Sequence, residues 1–434
     1  MKGQCDIKYP EMRGTMSNCE AVVMEPDCKR LKPDVLMEMG LAMLDDDDEP
    51  LSAGDSQTAY LMHSPYNTAE IKLLSSVNED VSSFADPFGD DFLVFRRQKS
   101  QGRTGEDHFS KLSDEIVLSV FRWLPKKTLK QCALVSRRWR NIARDEELWT
   151  RLDLGTKTLC PGNLADVLRR GVRILRLAQC DIPDPVFGAD PLPDDYVSRL
   201  NFLDLSLACI SEQGLLSLMK KTKYLIKLSL EHCVLNDEIC EAISQNSQLE
   251  VLNLTMVYNL TANGLRAIIS KCRRIVALNL GWTGLTIEAV DSLMSCLPPN
   301  LSQLNISGCR QALMDKHIVQ LVRGCPKLTE LDISDATLLS TTSIDAVSRL
   351  ENLEHLAISR CYHISAQIPS QKLEAILSLR FLDLFGLVQD NYLPNLKKSL
   401  PNLKINQFPF SSIARPTVGV RRTSIWELRV RDSI

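Results

Sequence analysis

One short hydrophobic phrase recurs through most of the chain. The stretches RILRLAQC, NFLDLSLAC, IKLSLEHC, EVLNLTMV, VALNLGWT, SQLNISGC, TELDISDA, EHLAISRC and RFLDLFGL share a leucine, at positions 175, 203, 228, 252, 278, 304, 331, 356 and 382. The steps run from 24 to 28 residues, and a degenerate unit, PNLKI, puts Leu403 another 21 residues on. A period held this long marks a repeat architecture. Within each unit the Leu-x-Leu alternation predicts a short strand. Segments between the strands, such as TANGLRAIISKC and NDEICEAISQNS, predict helices. Thr261 and Asn236 stand where N-caps belong, and Leu265, Ile268, Ile269, Ile239 and Ile243 supply a buried stripe. One strand and one helix cannot bury their own apolar faces. Stacked units can, as an α/β solenoid with a curved parallel sheet inside and helices outside. The residue after each shared leucine then faces the concave side. Asp204, Asn253, Asn279, Asn305, Asp332 and Asp383 form that row, which suits a solvated surface or polar recognition.

A different pattern precedes the repeats. In KLSDEIVLSVFRWLP, Ile116, Val117, Val120, Phe121 and Leu124 recur at one-face helical spacing. Ser113 is placed to cap this helix, Asp114 and Glu115 put negative charge in its first turn, and Pro125 ends it. A second helix is predicted through Leu129, Cys132, Val135, Trp139 and Ile142, and Leu148-Trp149 closes the unit. About 40 residues are too few to bury a full core, so the remaining apolar surface calls for a partner or a neighbouring domain.

The two ends of the chain break both periods. Residues 1–107 carry scattered Met, Ser, Asp and Pro and an acidic run from Asp45 to Glu49, which predicts a disordered regulatory arm. Within it, Lys29-Arg30-Leu31-Lys32 fits a nuclear-import signal and Ser64, followed by Pro65, a proline-directed phosphorylation site. The tail from Ser411 holds five Arg against two acids, with Trp426 and the apolar Ile425, Leu428 and Val430. Its aliphatic and aromatic content predicts docking, along the partly acidic concave sheet.

Composition narrows the function. The 51 basic and 54 acidic side chains nearly cancel, at a net charge of -3, so nothing argues for nucleic-acid binding. The start of the chain is polar and reads as no secretory signal, and no apolar run approaches the roughly 20 residues that cross a bilayer. No Cys-x-x-Cys pair occurs among the 14 cysteines, so zinc-ribbon and redox spacings are absent and reduced thiols are expected. The expectation is no metal, no cofactor and no catalytic set of nucleophile, base and oxyanion donors.

The helical unit resembles an F-box. Leu112, Asp114, Glu115, Ile116, Leu124, Leu134, Val135, Trp139, Leu148 and Trp149 carry the match, and Ser113 departs from the proline usual at the helix start. The repeats resemble cysteine-type leucine-rich repeats. Cys180, Cys233, Cys309 and Cys361 fall five residues after the shared leucine, where the family puts a packed Asn or Cys. Cys272 and Cys325 fall six residues before it. Together with DFLVFRRQK, AISRCYHI and SSIARPTVGVRRTSIWEL, the resemblance to the F-box/leucine-rich-repeat family covers about residues 90–434. It divides the chain into the arm (1–107), an F-box (108–150), about ten leucine-rich repeats (151–408) and the tail (409–434).

The resemblance implies a non-catalytic substrate receptor of an SCF-type ubiquitin ligase, at work in nucleus and cytoplasm. Leu112, Ile116, Leu124, Leu134, Val135 and Trp139 would hold a Skp adaptor, and through it cullin and RING subunits. Arg310, Asp335, Arg360 and Phe410 would bind a phosphorylated cyclin-dependent kinase inhibitor together with a small cyclin-kinase-subunit accessory protein. Repeat phase supports part of this: Asp335 and Arg360 each follow their shared leucine by four residues, with Arg310 near the same rim. Trp282, at that offset in an earlier unit, is a candidate aromatic contact. One alternative is a leucine-rich-repeat scaffold or inhibitor that works without ubiquitin, its F-box serving only as a cap. Another is an enzyme built on Cys361, His355 and His363, but repeat phase points those side chains apart.

Overall fold

The computed structural model describes residues 108–188, 192–364, 370–374, 376–389, 391–417 and 423–431. The arm, with Lys29–Lys32 and Ser64, lies outside the described residues. The described chain opens with a single 3-10 turn (His108–Lys111) and three short helices: α1 (Asp114–Phe121), α2 (Lys126–Cys132) and α3 (Arg137–Ala143). The predicted second helix is therefore two. The chain breaks at Ser136, which becomes the N-cap of α3, its hydroxyl accepting from the Trp139 N–H. Ser113 is the N-cap residue of α1, but its side chain makes no capping bond to the backbone. Val117, Phe121, Leu129, Ile142, Leu148 and Trp149 form the core of this unit.

A single turn, Glu146–Trp149, leads directly into the first strand of the solenoid. The strands are β1 (Arg151–Asp153), β2 (Ile174–Arg176), β3 (Asp181–Ile182), β4 (Phe202–Asp204), β5 (Cys209–Ile210), β6 (Lys227–Ser229), β7 (Val251–Asn253) and β8 (Ala277–Asn279). They continue as β9 (Gln303–Asn305), β10 (Glu330–Asp332), β11 (His355–Ala357), β12 (Phe381–Asp383) and β13 (Lys404–Ile405). All but β3 and β5, which pair with each other, form one 11-stranded sheet in chain order, with parallel pairing throughout. The register sets shared leucine against shared leucine, from Leu175 opposite Leu203 to Leu356 opposite Leu382.

The ends of the solenoid differ from the sequence reading. Leu152 pairs with Leu175, adding a unit whose leucine the motif alignment had not reached. At the far end Ile405, not Leu403, takes the place opposite Leu382. PNLKI offers two apolar residues two apart, and only strand pairing chooses between them.

The outer helices are α4 (Asn163–Arg169), α5 (Glu212–Lys220), α6 (Asp237–Ser244), α7 (Ala262–Lys271), α8 (Ile287–Cys296), α9 (Asp315–Gly324), α10 (Thr341–Val347), α11 (Ser370–Glu374) and α12 (Leu393–Ser399). Thr261 Oγ1 accepts from the Gly264 N–H and Asn236 Oδ1 from the Ile239 N–H, as N-caps do. Leu265, Ile268, Ile269, Ile239 and Ile243 are fully buried in one continuous core running through all the repeats. None of these helices is long and apolar enough to cross a membrane.

Candidate functional site: a charged rim and an exposed helical face

Ten of the eleven strands of the sheet, all but β13, end in the same turn, and that turn builds the rim. The residue four after the shared leucine takes a left-handed backbone conformation in unit after unit: Trp282 (φ 58°), Gly308 (φ 79°), Asp335 (φ 59°), Arg360 (φ 55°) and Gly386 (φ 66°). Its N–H donates to the carbonyl of the next unit, as from Trp282 to Ser307, Asp335 to Ser359 and Arg360 to Phe385, at 2.8–2.9 Å. A left-handed bend costs a non-glycine residue roughly 1–2 kcal/mol. The inter-repeat bond offsets part of that cost, and the bend stands each side chain on the sheet edge.

The predicted charged group assembles there. Arg360 Nε donates to Asp335 Oδ1 at 2.9 Å, and its terminal nitrogen reaches Asp335 Oδ2. Arg310 approaches the same carboxylate at 3.5 Å. Asp335 is nearly buried, whereas the two arginine side chains are 45% and 58% exposed. Two guanidinium groups around one carboxylate leave an excess positive charge facing solvent, in a planar geometry that suits an incoming carboxylate or phosphate. Hydrogen bonding to Asp335 holds the Arg360 pKa above its ordinary value. The Arg310 guanidinium also lies 5.2 Å from the Trp282 ring centre, a cation–π distance. Trp282 in turn lies across Gly308, where a β-carbon would come within 2.8 Å of the indole. Repeat phase thus brings together Arg310, Asp335 and Arg360, with Trp282 as a fourth member.

Phe410, on the tail, is half exposed. Its neighbour Phe408 packs with His355 and Phe381, at ring separations of 5.4 and 5.2 Å. His355 is itself held at Asp383, Nε2 to Oδ2 2.7 Å. Cys361 is fully buried, donates to the Ile333 carbonyl, and burial pushes its thiol up to about 12. His355 and Cys361 are therefore engaged in different packing environments. Among the described residues no group of three or more His, Cys, Asp or Glu is placed to hold a metal.

The concave row is not the solvated surface expected from the sequence. Asp204, Asn253, Asn279, Asn305, Asp332 and Asp383 are all buried. In the first five units the side-chain oxygen accepts from the backbone N–H two residues on, as from Ser206, Gly281 and Ser334 at 2.9–3.0 Å. The row pins the strand-end turns rather than facing a ligand. The tail also lies over it. Asn279 Nδ2 donates to the Ile413 carbonyl at 2.8 Å, and Ile413 and Ala414 pack with Val251, Ala277 and Trp426. Arg415 reaches Glu231, and Arg431 bonds Asp153.

The helical unit presents a second surface. Ile116, Leu134 and Val135 are each at least half exposed, while Leu112, Leu124 and Trp139 are partly buried against the core. Trp139 meets Phe109 and Phe121 edge to face, at 5.1 and 5.3 Å. The apolar residues of α1 do not share one face, as the sequence reading had them. Val117 and Phe121 point inward, and Ile116 and Val120 outward. Beyond the helix Trp123 is 89% exposed. Val120 and Trp123 were missed as surface candidates, though the 116, 120, 123 spacing is itself a helical stripe.

Two family models match these two parts. The model described as SKP2 LRR domain matches residues 162–433, more than half of the chain, and the F-box-like model matches residues 110–155. The chain belongs to the F-box/leucine-rich-repeat family, of the SKP2 type. Among curated proteins, lysine-specific demethylase 2B of Mus musculus is 24% identical over 305 residues, 65% of this chain and 20% of that protein. F-box protein dre-1 of Caenorhabditis elegans is 40% identical over 47 residues, 11% of this chain and 5% of its own. The chain thus spans a fifth or less of the length of these relatives. Among solved structures, a chain of the Rad7 and Elc1 complex of yeast superposes with a TM-score of 0.39 at 16% identity, covering 79% of this chain and 86% of that one.

Proposed function

We propose that this chain is the substrate-recognition subunit of an SCF-type ubiquitin ligase. The observation that carries the reading is the join of two surfaces. An exposed apolar face on the F-box (Ile116, Val120, Trp123, Leu134 and Val135) is coupled through the Glu146–Trp149 turn to a solenoid whose rim presents Arg310 and Arg360. Five exposed large apolar side chains on so small a unit fit a permanent protein partner. In this reading that partner is a Skp adaptor, which brings cullin and RING subunits. The chain itself contributes proximity: it holds a substrate lysine near the charged ubiquitin carrier and raises the effective concentration of the reacting groups.

The rim chemistry supports a phosphorylated or acidic substrate segment. A phosphorylated cyclin-dependent kinase inhibitor, presented with a small cyclin-kinase-subunit accessory protein near Phe410, is the substrate this reading favours. Such cell-cycle substrates go with work in nucleus and cytoplasm.

The test is co-purification. Val135→Asp and Leu134→Asp, on exposed positions, should abolish capture of the Skp adaptor while circular dichroism and melting stay unchanged. Trp139→Ala is a poorer probe, because Trp139 packs against Phe121 and the variant would perturb the fold. Unimpaired adaptor capture by both aspartate variants would favour the ubiquitin-independent scaffold instead.

A further inference from the structure

The joint between the helical unit, the first repeats and the tail encloses a space that the receptor role does not use. The tail forms a hairpin there: β14 (Ser424–Ile425) pairs antiparallel with β15 (Leu428–Arg429). The Val430 N–H donates to the Thr423 carbonyl at 2.9 Å, and Arg431 bonds Asp153 at the end of β1. Leu428 and Arg429 thereby join the lining of a cavity of about 340 Å³. That volume falls at the low end of the range for small-molecule sites, roughly 300–1,000 Å³.

Two kinds of lining meet in this cavity. Phe121 and Leu129, buried in the helical unit, contribute apolar surface together with Ile174 of β2 and Leu428 of the tail. The charged lining is Arg122, Lys126, Arg151 and Arg429, against Glu147 alone among the described lining residues. Arg122 is bonded to Glu147, so that carboxylate is already met. Lys126 and Arg151 are half-buried. Arg429 Nε donates to the Arg431 carbonyl at 2.9 Å, which holds its guanidinium in position. Cations gathered against low-dielectric walls repel one another and focus their field, so an anion gains more here than on an open surface.

We propose that this cavity binds a small organic phosphate, its anionic head on the cations and its apolar body against Phe121 and Leu428. Four cations against one carboxylate exceed what a single carboxylate ligand would neutralise. A phosphate monoester carries close to two charges and three acceptor oxygens, which guanidinium groups take up in charge-assisted hydrogen bonds. A phosphate ion alone would leave the apolar surface unfilled, and a neutral apolar compound would leave the cations facing one another. The ligand touches the helical unit, the sheet and the tail at once, so binding ties the hairpin to the rest of the molecule. The site does not depend on the ubiquitin-ligase role and would serve a scaffold equally.

The experiment titrates the full chain calorimetrically with three probes: 1-naphthyl phosphate, which has both head and body, 1-naphthol, which has the body alone, and inorganic phosphate, which has the head alone. Naphthyl phosphate should bind at one site, and each half alone about tenfold more weakly or worse. Arg151→Gln and Arg429→Gln, on the sheet and on the tail, should each weaken naphthyl phosphate about tenfold and leave naphthol unchanged. Neither side chain belongs to the core, and circular dichroism checks that each variant is folded. Saturating naphthyl phosphate should also slow hydrogen exchange at the Val430 amide severalfold, because the ligand stabilises the docked hairpin. No binding of naphthyl phosphate overturns the proposal. So does naphthol binding as tightly, undiminished affinity in either variant, or unchanged exchange at Val430 under saturation.

Discussion

At the scale of single residues, the two rim arginines are not equivalent. Arg360 makes both short bonds to the nearly buried Asp335, while Arg310 is held loosely at 3.5 Å and is more exposed. Arg310→Ala should therefore weaken capture of a phosphorylated substrate peptide with little change in melting temperature, since an exposed pair contributes at most ~1 kcal/mol. Arg360→Ala should weaken capture too, but also cost on the order of 1–3 kcal/mol of stability, because a buried carboxylate loses its bidentate partner. Calorimetry beside peptide titration separates the two, and equal losses of stability would contradict the geometry. Gly308 is a third case. At φ 79°, with the Trp282 indole against its missing β-carbon, Gly308→Ala should cost on the order of 1–2 kcal/mol and displace the indole. A denaturant melt, with Trp282→Phe as reference for the fluorescence change, checks it.

At the scale of elements, the cysteines show how the repeats are tied together. The Cys180 and Cys361 thiols donate to the Leu154 and Ile333 carbonyls of the preceding unit. Cys272 and Cys325 terminate α7 and α9 and point their thiols at carbonyls of the helix-to-strand loops before them. Burial pushes Cys233, Cys309 and Cys361 up to about 12 and Cys180, Cys272 and Cys325 to about 11. Thiols this far above neutrality supply almost no thiolate. Iodoacetamide at pH 8 should leave these six unmodified in the native chain and label them on unfolding, read by peptide mass mapping. Ten cysteines of the described residues are free. The spacing of five and six residues from the shared leucine was enough to place the six, because a strand and a helix of fixed length put a given phase in the same environment in every unit. The α1 face was less legible. Five apolar residues within nine span more than one side of a helix, and pattern alone does not say which side the core takes.

At the scale of the whole molecule, the concave face stores charge under the tail. Burial pushes the Asp204 carboxyl up to about 6, against bonds from Ser206 and the field of Arg176 that pull it down. In the unfolded chain the same group titrates near ~4. Between those values the folded state holds a proton that the unfolded state has lost, so this group lowers stability as pH rises through the window. Three other units carry Asn at this position: Asn253, Asn279 and Asn305. Asp204→Asn should therefore raise the melting temperature at pH 7.5, by on the order of 2 kcal/mol of stability, and the gain should fade as pH drops from 6 to 4. A gain that persists unchanged at pH 4 would mean that ionisation is not its source.

Away from its two ends, the sequence by itself determined the solenoid, its register and the phase of each residue within it. A leucine every 24 to 28 residues admits one way of burying all units, and phase then carries Asp335 and Arg360 to a common rim. Only the tertiary structure decided what depends on contacts distant in sequence. Asn279 meets Ile413 across 134 positions and Arg431 meets Asp153 across 278, and these contacts lay the tail over part of the concave face. No local period encodes such pairs. They follow from the tail folding back over a sheet whose turns had already taken up most of its polar groups.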